Sequence, residues 1–167
     1  FYDRAESLMQ HTDTIPDYRN KTRKLKLSGT VYQSDGVTPA KDVIIYIEQP
    51  DEDGDFELRR TGDERYVLHR SWVKTDANGK YTFYTFIPGN DRRYNRMQEI
   101  YPLIKAPSRS EYELYSFIFD DDPLLTKRCR RRLEKHGQTD RIFTTKFVDG
   151  IYIAEKNIVL ASNNVTQ

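Results

Sequence analysis

The sequence predicts an all-β fold, a β-sandwich of about eight short strands with one short basic helix or turn. Three observations predict it. Apolar residues alternate with polar ones or fall in short β-branched runs, and turn signals separate those runs at close intervals. Twelve Tyr and eight Phe supply much of the apolar surface, and aromatic side chains favour strands. Only one stretch has a plausible helical start and stop.

The elements follow in order. Residues 1–24 are polar and aperiodic and read as an N-terminal arm, with Pro16 opposing a long helix. The domain proper is expected over 25–167. Leu25, Leu27, Gly29 and Val31 alternate with Lys26, Ser28 and Thr30, as in a half-buried strand. Ser34-Asp35-Gly36 and Pro39 mark a loop, and Val43 to Ile47 reads as a buried strand. Asp51-Glu52-Asp53-Gly54-Asp55 is an acidic turn. It resembles a calcium loop only superficially, since it lacks the spaced glutamate and flanking helices. Trp72 to Lys74 and Tyr81 to Phe86 read as a hairpin closed by Asp76-Ala77-Asn78-Gly79. Ile100 to Ile104 and Tyr112 to Phe119 are further strands. Thr126 to His136, ended by Gly137, is the helix, and Phe143 to Phe147 and Ile151 to Leu160 form a final pair around Asp149-Gly150.

Composition excludes several function classes. With 27 basic and 26 acidic residues the formal net charge is +1, so electrostatics give no case for nucleic acid or an anionic membrane. Mean hydropathy is −0.83 and no apolar run reaches the length of a membrane span. Residues 1–24 do not read as a signal peptide. Cys129 is the single cysteine, so no internal disulfide forms. Its basic neighbours could lower a thiol pKa, but no cysteine-enzyme signature surrounds it, and it reads as a thiol without a role.

Several of these segments together resemble the compact intradiol ring-cleavage dioxygenases, the group related to protocatechuate 3,4-dioxygenase. Leu27-Ser28-Gly29-Thr30-Val31, Asp35 to Ala40 and Val43 to Tyr46 are similar to the "L-x-G-x-V, D-G-x-P, V-x-I" opening of that sandwich. Other sandwich modules share this opening. The stretch Arg70 to Phe83 resembles its central hairpin. Phe119-Asp120-Asp121-Asp122-Pro123-Leu124-Leu125 looks like its "Y-F-x-G-D-P-L" element, with Asp121 in place of Gly. Gly150 to Leu160 resembles the ending of the small members.

The resemblance implies a sandwich fold and an ancestral ferric site of two Tyr and two His, where an iron-bound catecholate reacts with dioxygen and its ring opens. Carried across residue by residue, the ligand set is not preserved. Phe56, two residues after Gly54, stands at the first Tyr position. In the family's "P-x-x-Y" and "A-H-I-H-P" elements, Asp91 falls at the second Tyr, Glu99 at the first His and Tyr101 at the second His, with Pro102 fixing the register. A shifted loop would put Tyr94 in place of Asp91. Arg96 stands where many members carry a substrate-facing arginine, and Ser116 where a glutamine is common. His11, His69 and His136 all lie outside this segment, and His69 reads as a surface or edge-strand residue.

The resulting expectation is a non-catalytic relative that kept the scaffold and lost Fe(III), with no cofactor and a binding or structural role. A small aromatic or a carbohydrate is the ligand class expected in the residual cleft, with Arg96 as a pocket candidate. Two alternatives stand beside it. Asp91, Glu99 and Tyr101 could form a rebuilt oxygen-donor site for a divalent metal. A different register could leave a true ring-cleaving dioxygenase. Small members of the group are often exported in bacteria, and the resemblance suggests the same here.

Overall fold

The computed structural model describes residues 1–162. Fourteen strands are arranged as two six-stranded sheets and one separate two-stranded ribbon. In chain order they are β1 (Thr12–Thr14), β2 (Lys24–Tyr32), β3 (Ile44–Glu48), β4 (Leu58–Thr61), β5 (Glu64–Val67), β6 (Arg70–Lys74) and β7 (Lys80–Phe86). They continue as β8 (Glu99–Lys105), β9 (Tyr112–Glu113), β10 (Phe117–Phe119), β11 (Ile142–Phe143), β12 (Lys146–Val148), β13 (Ile151–Glu155) and β14 (Ile158–Val159). One α-helix, α1 (Lys127–Lys135), lies between β10 and β11. Among the described residues no helix is long and apolar enough to cross a membrane.

The first sheet runs β1-β7-β2-β13-β12, with β14 also paired to β2. The second runs β11-β10-β8-β3-β6, with β9 also paired to β8. The ribbon is β4-β5. The inner faces meet in one core. Leu25, Leu27, Tyr81, Phe83 and Ala154 come from the first sheet, and Ile45, Ile47, Val73, Ile100, Ile104, Phe117 and Phe119 from the second. Each such large apolar side chain, removed from water, contributes roughly 1.5–3 kcal/mol. The sandwich expected from the sequence is therefore present, and its long strands are those with alternating or β-branched runs.

The expected hairpin at Trp72 to Phe86 is corrected. β6 pairs with β3 in the second sheet, whereas β7 pairs with β2 in the first. The turn at 76–79 is thus an arch carrying the chain from one sheet to the other. The Asp76 carboxylate holds it by accepting the backbone N–H groups of Asn78 and Lys80, each at 2.9 Å. A tight turn between two period-two runs fits both geometries, and only the outer partners of the strands decide between them.

Two expected strands are interrupted. Tyr112 to Phe119 divides into β9 and β10, both on β8. The break faces Pro102, whose carbonyl accepts Leu114 N–H at 3.2 Å but which has no N–H to return. Ile151 to Leu160 divides into β13 and β14 around Lys156 and Asn157; Asn157 uses its side-chain oxygen to receive Thr30 N–H at 2.9 Å. Phe143 to Phe147 also changes sheet: β11 joins β10, and β12 joins β13.

The arm is ordered against the body. β1 runs parallel to β7, and its Asp13 carboxylate accepts Ser71 Oγ at 2.6 Å and Trp72 N–H at 3.1 Å from β6. One short strand therefore bonds to both sheets where the arch separates them. Further upstream, Phe1 and Met9 pack with Ile44, Tyr46, Trp72 and Leu103 in a second apolar cluster. Trp72 is buried on this side, not in the main core that holds Phe83. The Trp72 indole N–H donates to Phe1 C=O at 2.6 Å, and the Arg4 guanidinium lies 4.6 Å above its ring.

Helix α1 starts where the sequence places it. Thr126 Oγ1 accepts Cys129 N–H at 3.2 Å as the N-cap. Leu133 anchors it on Ile118 and Leu125, with Cys129 half-buried at the edge of that cluster. The Thr126 hydroxyl and the nearby arginines lower the Cys129 thiol pKa.

Candidate functional site

The site predicted by sequence lies at one end of the second sheet, where the 51–57 and 88–98 loops meet β8. These loops are in close contact. Gly54 has a φ of +87°, and a Cβ there would sit 2.5 Å from the Asn90 carbonyl carbon. Gly89 approaches from the other side, and a Cβ there would meet Glu52 C=O at 2.2 Å. Only glycines allow this approach. Gly89 N–H also donates to Asp51 C=O at 2.9 Å, and the Asp51 carboxylate accepts Asp53 N–H at 2.9 Å and Asp55 N–H at 3.0 Å. The acidic turn thus uses one carboxylate internally to hold its own shape.

A buried aspartate fixes the second loop. Asp122 is buried and accepts Gln98 N–H at 2.6 Å, Asn90 Nδ2 at 2.9 Å and Leu124 N–H at 2.9 Å. It ties both ends of the 90–98 loop to the Asp120-to-Pro123 turn. The sequence showed this turn as part of the Phe119-to-Leu125 element of the resemblance, but not as the anchor of another loop. Three consecutive aspartates before a proline do not disclose which of them is buried or which loop it binds.

Phe56 and Tyr101 come together. Their ring centroids are 5.8 Å apart with an interplanar angle of 42°, and both line an open cleft of about 360 Å³. Tyr46, Glu48, Pro102, Leu103, Glu113 and Leu114 complete its lining. The sheet register explains the grouping. Tyr101 stands opposite Glu48, and Leu103 stands between Tyr46 and Glu113. With a side-chain period of two, these residues share the outer face, while Ile100 and Ile104 enter the core. Burial raises the Tyr101 phenol above its ordinary range, and the adjacent Glu99 carboxylate raises it further.

The other predicted residues are placed differently. Glu99 is beside Tyr101 but does not line the cleft; its carboxylate accepts the Ser116 hydroxyl at 3.0 Å. Ser116 is held in turn by Arg141, whose guanidinium donates to its Oγ at 2.7 Å and its C=O at 3.0 Å. Asp91 is buried and accepts Arg93 N–H at 3.1 Å and Arg93 Nε at 3.2 Å. Arg93 also pairs with Asp55, the neighbour of Phe56. Tyr94 and Arg96 are exposed on the loop, with the Arg96 guanidinium 5.6 Å from the Tyr94 ring, and neither lines the cleft.

These residues do not fit a ferric catecholate centre. Phe56 has no donor atom, Asp91 is engaged by Arg93, Glu99 is engaged by Ser116, and the Tyr101 phenolate is disfavoured by burial and by a carboxylate. Among the described residues no group of three or more His, Cys, Asp and Glu side chains is placed to hold a metal ion.

His69 is corrected. It is fully buried, packed edge-on against Phe86 with centroids 4.9 Å apart. Neither ring nitrogen has a hydrogen-bond partner. Its position before β6 suggested an exposed edge, but its ring turns onto Phe86 with Lys21, Glu57, Asp17 and Asp51 around it, while Gln49 N–H donates to its C=O. Burial lowers its pKa, with Lys21 adding to the effect.

Sequence reasoning did not identify Tyr46, Glu48, Leu103 or Glu113 as cleft residues. The available signal was Glu48, a charged residue closing an apolar β-branched strand.

No protein-family model and no curated protein matches this chain at a significant level. Solved structures do. The dioxygenase domain of a dioxygenase–carbohydrate-binding fusion protein from Streptomyces sp. SirexAA-E is 19% identical, with a TM-score of 0.68 over 91% of this chain and 87% of that one. An intradiol ring-cleavage dioxygenase from Tetranychus urticae is 18% identical, with a TM-score of 0.68 over 98% and 92%. Catechol 1,2-dioxygenase from Acinetobacter sp. ADP1, in a form inhibited by bound mercury, is 14% identical with a TM-score of 0.66, over 92% of this chain and 57% of that one. The chain has the fold of the intradiol ring-cleavage dioxygenases.

Proposed function

We propose that this chain is a non-catalytic dioxygenase-like protein, its Fe(III) site lost, that binds a small aromatic or carbohydrate ligand in the cleft beside Phe56 and Tyr101. The observation that carries the reading is the Phe56–Tyr101 contact. The resemblance puts a phenolate and an imidazole at these positions, and two rings packed 5.8 Å apart occupy them. A ring wall beside an open apolar cleft suits stacking with an aromatic or a sugar face. The carbohydrate alternative is supported by one structural neighbour, whose dioxygenase domain is fused to a carbohydrate-binding module. Arg96 is a rim residue at most in this reading, since its guanidinium lies over Tyr94.

Metal analysis of the purified protein, with dioxygen uptake measured on catechols, tests the first half. The expected result is no stoichiometric iron and no uptake. One ferric ion per chain with a phenolate-to-iron absorption band would sink the proposal. Titration with simple phenyl compounds and short oligosaccharides, followed by amide chemical shifts of β8 and β9, tests the second half. Shifts around Leu103 that Tyr101→Ala abolishes are expected.

A further inference from the structure

The cleft's charge selects among such ligands. Its lining contains two carboxylates, Glu48 and Glu113, and no cationic side chain. They are not clustered. Tyr46, Leu103 and Glu113 form one row across β3, β8 and β9, and Glu48 lies in the next outward-facing row, opposite Tyr101. The carboxylates therefore stand at opposite corners of the aromatic floor, two strand spacings apart. The Glu48 carboxylate accepts the Tyr46 hydroxyl at 2.8 Å through one oxygen. Among the described residues neither carboxylate has a Lys, Arg or His nitrogen within 4.0 Å.

Nearby guanidiniums have their ion-pair partners elsewhere, although Arg70 also acts on the Tyr46 hydroxyl that Glu48 accepts. Arg70, the register partner of Glu48, pairs with Asp3 and lies 4.2 Å from the Tyr66 ring and 4.9 Å from Trp72. Arg141 holds Ser116, and Arg96 covers Tyr94.

We propose that the cleft takes an organic cation, an amine or quaternary ammonium borne on an apolar or aromatic body; this rests on the reading of the cleft as a ligand site. Its rings present negative faces to a cation, and its unpaired carboxylates supply the counter-charge at the rim. An anionic aromatic, the usual form of an iron-bound catecholate, meets two like charges instead.

Three probes with one phenyl body test it: 2-phenylethylammonium, 2-phenylethanol and 3-phenylpropanoate, titrated at low salt and read by amide shifts. The ammonium is expected to bind about tenfold tighter than the alcohol, with the advantage shrinking as salt is added, and the carboxylate weakest of all. In the Glu48→Gln, Glu113→Gln double variant the advantage of the ammonium over the alcohol is expected to fall below about threefold. The side-chain amide introduced by Glu48→Gln retains an acceptor for the Tyr46 hydroxyl, and an unchanged amide spectrum outside the cleft confirms folding. Equal binding of ammonium and alcohol overturns the cation preference and leaves the cleft reading standing. An advantage that survives in the double variant also overturns it. Absence of shifts with all three probes overturns both.

Discussion

The Phe56 ring, on the loop after β3, lies against the Tyr101 ring on β8. A phenol introduced at position 56 adds one donor and none of the partners that the resemblance implies. Phe56→Tyr is therefore expected to fold with stability within about 1 kcal/mol of the parent, since the ring contact is retained. Addition of Fe(III) is expected to give no visible phenolate-to-iron band. A band at one iron per chain would show that Asp91 or Glu99 leaves its present partner to ligate.

Asp122 bears on the same loop through three donors. Asp122→Ala leaves two backbone N–H groups and one amide unsatisfied, at about 2–4 kcal/mol in total. A fall in melting temperature of about 5–15 °C is expected. Asp122→Asn keeps one acceptor and is expected to lose about half as much. A melting temperature unchanged in both variants would mean that solvent replaces these bonds without loss.

Loop contact can be probed through Gly89. Gly89→Ala places a methyl group 2.2 Å from Glu52 C=O. The backbone must part, and a loss of about 2–3 kcal/mol in urea denaturation is expected. Gly36→Ala is the control: φ there is +72° with nothing within 4 Å, so its penalty is backbone strain alone, about 1 kcal/mol. Ligand binding at the cleft is expected to weaken in the first variant and not in the second.

Acid sensitivity is expected from His69. Its folded pKa lies below the ordinary 6.5 because burial disfavours the charged ring. The unfolded chain therefore binds the proton first. Stability is full above about pH 6.5 and is lost as pH falls from there through the lowered folded value. Lys21 opposes protonation, while Glu57, Asp17 and Asp51 favour it, so the loss is moderated. His11 and His136 are exposed. His69→Leu is expected to flatten the stability profile below about pH 6.5. A profile that keeps its slope in the variant would assign the proton uptake to another group.

Trp72 is the sole tryptophan and reports on the arm. It is buried under Phe1, Arg4 and Met9. Removal of residues 1–9 is expected to shift its emission to the red and lower stability by about 1.5–3 kcal/mol, the order for exposing a buried large apolar side chain. Unchanged emission would mean that other groups close over the indole.

Much of the fold was legible because burial on one face imposes alternation. Leu25 to Val31 and Ile100 to Ile104 show it, and both form the expected strands. Legibility stopped where partners determine the structure. Thr12-Asp13-Thr14 is polar and becomes a strand only because β7 offers an edge. The β4-β5 ribbon is fully exposed over Leu58–Thr61, so no apolar pattern marks it. Trp72 and Val73 are both buried because the arm covers one face of β6 and the core the other; such a run does not disclose which sheet it joins. At the site, the resemblance gave Phe56 and Tyr101. The cleft's acidic corners depend on the register between β3, β8 and β9, which no short motif encodes.

The position of β2 has a consequence for biosynthesis. Its one edge pairs with β7, while its other edge is closed by β13 and then β14, so that Leu25 waits for Tyr152 and Val31 for Ile158. During translation the central strand of the first sheet keeps an open edge until nearly all of the described chain has emerged. Such an edge can recruit a foreign strand. The first sheet therefore closes only when β13 and β14 are in place.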